Sequence, residues 1–181
     1  MIRHGETVAN AEGFAAGSLD TALTQKGRAQ ARLARARLES LREKPARIVH
    51  SALSRARDTA MIMNEGLCLP MHECAALNER SFGDWVGLPW DGVAARLDAG
   101  AIPPNGESME IFIKRVMGGM AATFALFDDT ILFVTHGGVF QALGRSFGRA
   151  LEDVENCELY GFEPDSSASG RFPWRVLRDP A

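Results

Sequence analysis

With 181 residues, 46% of them apolar and 24% charged, and a formal net charge of −3, the chain fits one soluble globular domain that buries its own core and lacks the basic footprint of a nucleic-acid binder. Three cysteines (Cys68, Cys74, Cys157) and four scattered histidines (His4, His50, His72, His136) make neither a disulfide framework nor a zinc site, so the thiols read as reduced and the location as cytoplasmic. No apolar run is long enough to span a membrane, and the polar residues from Arg3 onward exclude a signal peptide. Met1-Ile2 is a very short apolar start. A helix is predicted from Thr24 to Lys44, with Thr24 as N-cap and Pro45 as its stop; Ala29, Leu33, Ala36 and Leu41 mark its core face, with arginines opposite. Arg47-Ile48-Val49-His50 reads as a short buried strand. Ser54 to Leu67 reads as a helix with Ala56, Ala60, Met63 and Leu67 on one face, and Met71 to Leu77 as a further strand.

Ser81 to Pro89, rich in glycine and aromatics, is predicted to be a loop, Trp90 to Leu97 a short helix, and Ile102-Pro103-Pro104-Asn105-Gly106 a turn-forming break. Ser108 starts a helix that runs to about Phe127. Thr130 to Thr135 is the clearest strand, and its continuous apolar run implies burial on both faces. Val139 to Phe147 follows as a helix, with Leu159–Phe162 and Trp174–Leu177 as final edge strands and the serine-rich stretch Pro164–Gly170 as a loop. Strands alternating with helices imply an α/β fold: a three-layer α/β/α sandwich with a mostly parallel central sheet. No linker or internal repeat splits the chain, so residues 1–181 form one domain.

In such a sheet ligands sit beyond the carboxyl ends of the strands. That rule selects Arg3-His4, which ends the first strand, Ser51 to Arg55, which follows the second, and Thr135-His136-Gly137-Gly138, which ends the fourth. Two histidines and two arginines therefore converge on one rim. A neutral imidazole is a competent nucleophile toward phosphorus near neutral pH. The rest of phosphoryl transfer is positioning and charge stabilisation. Arg3 and Arg55 suit the equatorial oxygens because the planar guanidinium donates two parallel hydrogen bonds. His136, if protonated, adds a third charge-assisted donor, and Gly5, Gly137 and Gly138 let backbone N–H groups come close. The leaving alkoxide needs a proton from a carboxylic acid of raised pKa. Glu79 and Glu107 are both candidates, and spacing alone does not choose between them.

These residues resemble the histidine phosphatase superfamily, the phosphoglycerate-mutase-like proteins, over most of the chain. Arg3-His4-Gly5-Glu6-Thr7 with Asn10 is similar to the first signature, and Gly17, Asp20, Leu23-Thr24, Gly27 and Gln30-Ala31 to the segment after it. Ser51-Ala52-Leu53-Ser54-Arg55-Ala56 with Thr59-Ala60 resembles the second arginine motif. Leu77-Asn78-Glu79-Arg80 with Phe82-Gly83-Asp84-Trp85 resembles the acid-bearing loop; Gly106-Glu107-Ser108 and Val134-Thr135-His136-Gly137-Gly138 complete the set. The resemblance implies a phosphoglycerate-mutase-like fold, with residues 78–127 as a lid-like insertion over the site. It implies a phosphohistidine on His4, and Arg3, Arg55 and His136 holding the phosphate. Asn10, Thr135 and Gly137 would line or support the pocket, Glu79 would donate the proton, and Glu107 would sit at the mouth.

Two departures stand out. Only Met1 and Ile2 precede the Arg-His pair, where the family has a full strand, and Phe14, Ala16 and Ala22 replace a common Arg, Gln and Pro. The leading expectation is a metal-independent phosphomonoesterase with no cofactor, acting on a small phosphorylated substrate, with no nucleic-acid or membrane partner. A homodimer is left open. Sugar phosphates, phosphoglycerates, nucleotide-related esters and α-ribazole phosphate all fit. The alternatives are a phosphoglycerate-type mutase, against which the chain is short and Trp85 looks phosphatase-like, and a non-catalytic phosphate-binding module, which would need neither His4 nor Glu79.

Overall fold

A computed structural model describes residues 1–151, 153–165, 173–178 and 180. Strands β1 (Ile2–Arg3), β2 (Arg47–His50), β3 (Met71–Glu73) and β4 (Ile131–Thr135) form one parallel sheet in the order β1-β4-β2-β3. Around it lie helices α1 (Val8–Glu12), α2 (Gln25–Ser40), α3 (Ser54–Asn64), α4 (Trp90–Asp98), α5 (Met109–Leu126) and α6 (Gly137–Ser146).

The period of two along each strand sorts the core into two faces. Ile48, Leu132 and Val134 pack with Ala31, Ala34 and Leu38 of α2 and with Ala56, Ala60 and Met63 of α3. Val49 and Phe133 pack with Phe112, Val116 and Met120 of α5 and with Val139, Phe140 and Leu143 of α6. This is the expected three-layer α/β/α sandwich. Phe112 and Phe140 are fully buried, and each contributes about 1.5–3 kcal/mol relative to an exposed position.

Several elements differ from the sequence expectation. Helix α2 stops at Ser40 rather than Lys44, because Leu41 leaves the helical region at φ −61°, ψ 140°. Its core face is Gly27, Ala31, Ala34 and Leu38, while Leu33 is 68% exposed. Alanines on every side of this helix give little hydrophobic contrast, and the small face wins because it lets α2 lie close against α3. Its first turn lies as tightly against the segment after β1, where a Cβ on Gly27 would lie 2.1 Å from the Glu6 carbonyl oxygen and one on Gly5 2.5 Å from the Gly27 oxygen. Helix α1 was not foreseen: five residues are too few for a periodic signal, and a capping box between Thr7 and Asn10 defines it. The strand expected over Met71–Leu77 ends at Glu73, and Ala75–Leu77 forms a 3₁₀ turn.

The expected edge strands do not join the main sheet. Strands β5 (Tyr160–Pro164) and β6 (Trp174–Arg178) form their own antiparallel pair. They touch the sheet through an Ile2–Leu159 bridge and two bonds between Met1 and Tyr160. Two residues of β1 are too short to carry a second ladder beyond the one with β4. Of the serine-rich loop, residues 166–170 lie outside the described residues. In the expected lid, residues 81–98 form a small cluster of Phe82, Trp85 and Val93 against Ala15, whereas α5 belongs to the main core. No helix among the described residues is long and apolar enough to cross a membrane.

Candidate active site

His4 leaves the carboxyl end of β1 with its backbone N–H bonded to the Thr135 oxygen at 2.9 Å. The ring is 4% exposed, and its Nδ1 lies 2.7 Å from the Gly5 carbonyl. A carbonyl only accepts, so Nδ1 carries the proton and Nε2 keeps a lone pair. Burial, then the Arg55 and Arg3 guanidinium groups, hold His4 well below the ordinary imidazole range. Thr59 on α3 fixes the turn: its hydroxyl accepts from Gly5 N–H at 3.0 Å and donates to the Arg55 oxygen at 2.7 Å.

Arg55, at the start of α3, is 2% exposed. It donates to the carbonyls of Gly17 at 2.7 Å and Leu19 at 2.9 Å, and through Nε to His136 Nδ1 at 3.3 Å. Arg3 donates to the Val154 carbonyl at 2.7 Å, while its buried Nε has no partner among the described residues. A buried, unpaired guanidinium N–H is costly unless an anion meets it. His136 is fully buried, and its ring lies edge-on to His4 with centroids 5.1 Å apart. Burial first, then Arg55, His4 and Arg3, push His136 well below the usual range.

These two shifts carry a sign for stability. A histidine whose folded-state pKa is depressed below its unfolded value of about 6.5 binds its proton in the unfolded chain first. The stability it contributes is present above about pH 6.5 and is lost as pH falls toward the folded value. We expect denaturant titrations to show stability dropping below pH 6.5 by up to about 1.4 kcal/mol per pH unit for each of His4 and His136. Replacement of His136 by Gln should flatten that slope; an unchanged slope would contradict buried neutral rings.

Glu79 sits on the loop after the 3₁₀ turn at Ala75–Leu77. Its carboxylate accepts from the Arg80 N–H at 2.9 Å and from the Gly138 N–H at 3.2 Å, at the first turn of α6. A Cβ on Gly138 would lie 2.1 Å from Glu79 Oε1, so only glycine lets the carboxylate dock there. Gly138→Ala is expected to leave the fold intact and to displace Glu79, lowering kcat about 10- to 100-fold, within the range of a lost or misplaced acid–base group. Steady-state kinetics beside a melting curve would check this, and a wild-type kcat would refute it.

Glu107 does not line the cavity. Its carboxylate is held by Arg115 at 2.7 and 2.8 Å and by the Ser81 N–H at 2.9 Å. Arg115 in turn donates to the carbonyls of Ala76, Asn78 and Glu79. The pair therefore clamps the Glu79 loop from behind, a role the sequence reading did not give it. Thr135 and His136 are also off the cavity wall: both are fully buried, His136 behind Arg55, and Thr135 Oγ1 has no hydrogen-bond partner among the described residues.

A cavity of about 300 Å³ brings Arg3, His4, Asn10, Arg55, Glu79 and Gly137 together. Asn10 Oδ1 is occupied by Thr7 N–H at 3.2 Å. Asn156, which the sequence reading missed, donates to the His4 carbonyl at 2.9 Å from a segment more than 150 residues away. Phe14, Phe82, Trp90, Leu97 and Phe112 add apolar wall. Among the described residues no group of three or more His, Cys, Asp or Glu side chains could hold a metal ion.

Comparison with known proteins bears on the family and the fold. A family model described as histidine phosphatase superfamily (branch 1) matches residues 1–167. The chain is 36% identical over 156 residues to an adenosylcobalamin/alpha-ribazole phosphatase of Salmonella typhimurium, covering 79% of this chain and 75% of that one. It is 35% identical over 177 residues to the uncharacterized phosphatase PhoE of Bacillus subtilis, covering 97% and 90%. The solved structure of Bacillus stearothermophilus YhfR superposes with a TM-score of 0.81 at 28% identity, covering 98% of this chain and 93% of that one. By the family model, the relatives and the shared fold, this chain belongs to branch 1 of the histidine phosphatase superfamily.

Proposed function

We propose that the protein is a phosphomonoesterase that works through a phosphohistidine on His4. The observation that carries this reading is the tautomer of His4: Nδ1–H is tied to the Gly5 carbonyl, which leaves Nε2 as a nucleophile in a cavity it shares with Arg3, Arg55 and Glu79. Nε2 attacks phosphorus in line with the leaving oxygen. Arg3 and Arg55 neutralise the equatorial oxygens, and Arg3 Nε gains the acceptor it lacks. Glu79 protonates the leaving alkoxide and then takes a proton from the water that hydrolyses the phosphohistidine. The arginines supply the positive charge, so a metal ion is not required.

The apolar wall of Phe14, Phe82, Trp90, Leu97 and Phe112 favours a small ester whose alcohol presents an apolar or aromatic surface. The test is a panel of phosphate esters with chelator present: aryl phosphates, sugar phosphates, α-ribazole phosphate and a phosphoglycerate. Release of phosphate from apolar esters in chelator supports the reading. Isomerisation of the phosphoglycerate without release would favour a mutase, and tight binding without turnover a binding module.

A further inference from the structure

We propose that Ser51 and Asn78 are positioning residues that pin the ring proton of His136 on Nε2 and leave Nδ1 as the atom that takes up a proton when a phosphate group binds. The inference rests on the phosphate-pocket reading and adds a proton step to it. Hydrogen-bond direction carries the argument. The Ala52 backbone N–H donates to Asn78 Oδ1 at 2.9 Å, which marks that atom as an acceptor. Ser51 Oγ lies 3.0 Å from the same oxygen and must donate to it. A hydroxyl has one proton to give. Toward its other neighbours Ser51 Oγ can only accept, as it does from Leu53 N–H at 3.2 Å. His136 Nε2, 2.7 Å away, is therefore the donor. The neutral ring has one N–H, so Nδ1 holds the lone pair, matching its contact with Arg55 Nε–H at 3.3 Å.

The chain from Asn78 to Ser51 to His136 to Arg55 thus has one direction. Reversing it would cost both the Ser51–Asn78 bond and the Arg55 Nε–His136 bond. The charged and titratable groups around the ring are Arg3 and His4 from the end of β1, Arg55 from α3 and Arg115 from α5; Glu79 is docked on Gly138, two residues along the chain. With no anion present the cations and burial disfavour a charged ring. A phosphate group reverses that balance. An anionic oxygen that takes over Arg55 Nε–H also faces the Nδ1 lone pair, and that contact is repulsive until Nδ1 is protonated. A phosphomonoester monoanion supplies the proton: the O–H bond of its P–OH group breaks, the proton moves to Nδ1, and the dianion is left against an imidazolium. A dianion draws the same proton from solvent. The second phosphate pKa lies near 6, so both forms are present in neutral solution.

Sulfate stays a dianion across neutral pH and isolates the proton taken up by the protein. The experiment is calorimetric titration of the intact protein with sulfate in buffers of different ionisation enthalpy, beside histidine ring NMR of the free and sulfate-bound states. We expect uptake of about one proton per sulfate at pH 7, an affinity that falls about tenfold per pH unit, and a His136 signal that changes from the neutral Nε2–H form to the imidazolium. Ser51→Ala should release the tautomer, cutting uptake below about half a proton and flattening the pH dependence, while Ser51→Thr should restore both. Sulfate binding with no uptake, or a free ring already protonated on Nδ1, would overturn the proton step and leave the phosphatase reading standing. Failure of sulfate to bind would overturn the phosphate pocket together with this inference.

Discussion

Replacing His4 by alanine is expected to lower kcat for an aryl phosphate on the order of 10⁴-fold or more, the scale seen when a nucleophile is removed from a group that acts as a unit. His4 is buried, its Nδ1–H is committed to Gly5, and its edge-on neighbour His136 has both nitrogens engaged by Ser51 and Arg55. Among the described residues no other imidazole lines the cavity to take over. Brief mixing with radiolabelled substrate followed by denaturation should trap an acid-labile phosphoenzyme in the wild type and none in the variant. Equal rates in the two proteins would sink the nucleophile assignment. A variant that is inactive yet still binds sulfate would show that the loss is chemical and not a collapse of the pocket.

Glu79→Gln is expected to act in a way that depends on the leaving group. An alkyl alkoxide needs a proton in the transition state, so kcat for an alkyl phosphate should fall about 10²- to 10⁴-fold. A nitrophenolate leaves without help, so its phosphoryl transfer to His4 should be nearly spared. Its steady-state rate still falls, because hydrolysis of the phosphohistidine needs the same group as base. The expected result is a burst of nitrophenolate equal to the enzyme concentration, followed by slow turnover. A uniform loss on both substrates with no burst would argue that Glu79 only shapes the loop. The Gly138 contact makes the geometry testable independently: Gly138→Ala should move toward the same leaving-group pattern, since the added Cβ occupies the carboxylate's place.

The fit between motif and structure is uneven along the chain, and the reason is range. The strands Arg47–His50 and Ile131–Thr135 were legible because burial on both faces leaves a continuous apolar run. Arg3, His4, Arg55 and His136 were legible because each ends or follows a strand or opens a helix at the carboxyl rim of a parallel sheet. The core face of α2 was not, because its alanines leave two faces with nearly equal apolar character, and close contact with α3 decides between them. Helix α1 was too short to carry a period.

Glu107 illustrates the harder limit. Its position three residues after Pro104 and one after Gly106 says only that it starts a new element, and as a carboxylate it competes with Glu79 for the role of acid. The choice is made by partners: Glu107 meets Arg115 and the Ser81 N–H, whereas Glu79 meets the Gly138 N–H and shares the cavity with His4. The same holds for Asn156 on the His4 carbonyl and Val154 on Arg3, both more than 150 residues from the groups they hold.

The sequence by itself determined which residue types meet, since their spacing at the ends of the strands places two imidazoles and two guanidinium groups on one rim. Only the tertiary structure decided the state and aim of those groups. Which nitrogen of His4 keeps its lone pair, which carboxylate reaches the cavity, and which way the chain from Asn78 to His136 donates are all set by hydrogen bonds. Some of their partners are next in sequence and others cross the whole chain, and a hydrogen bond has a direction that composition and periodicity do not record.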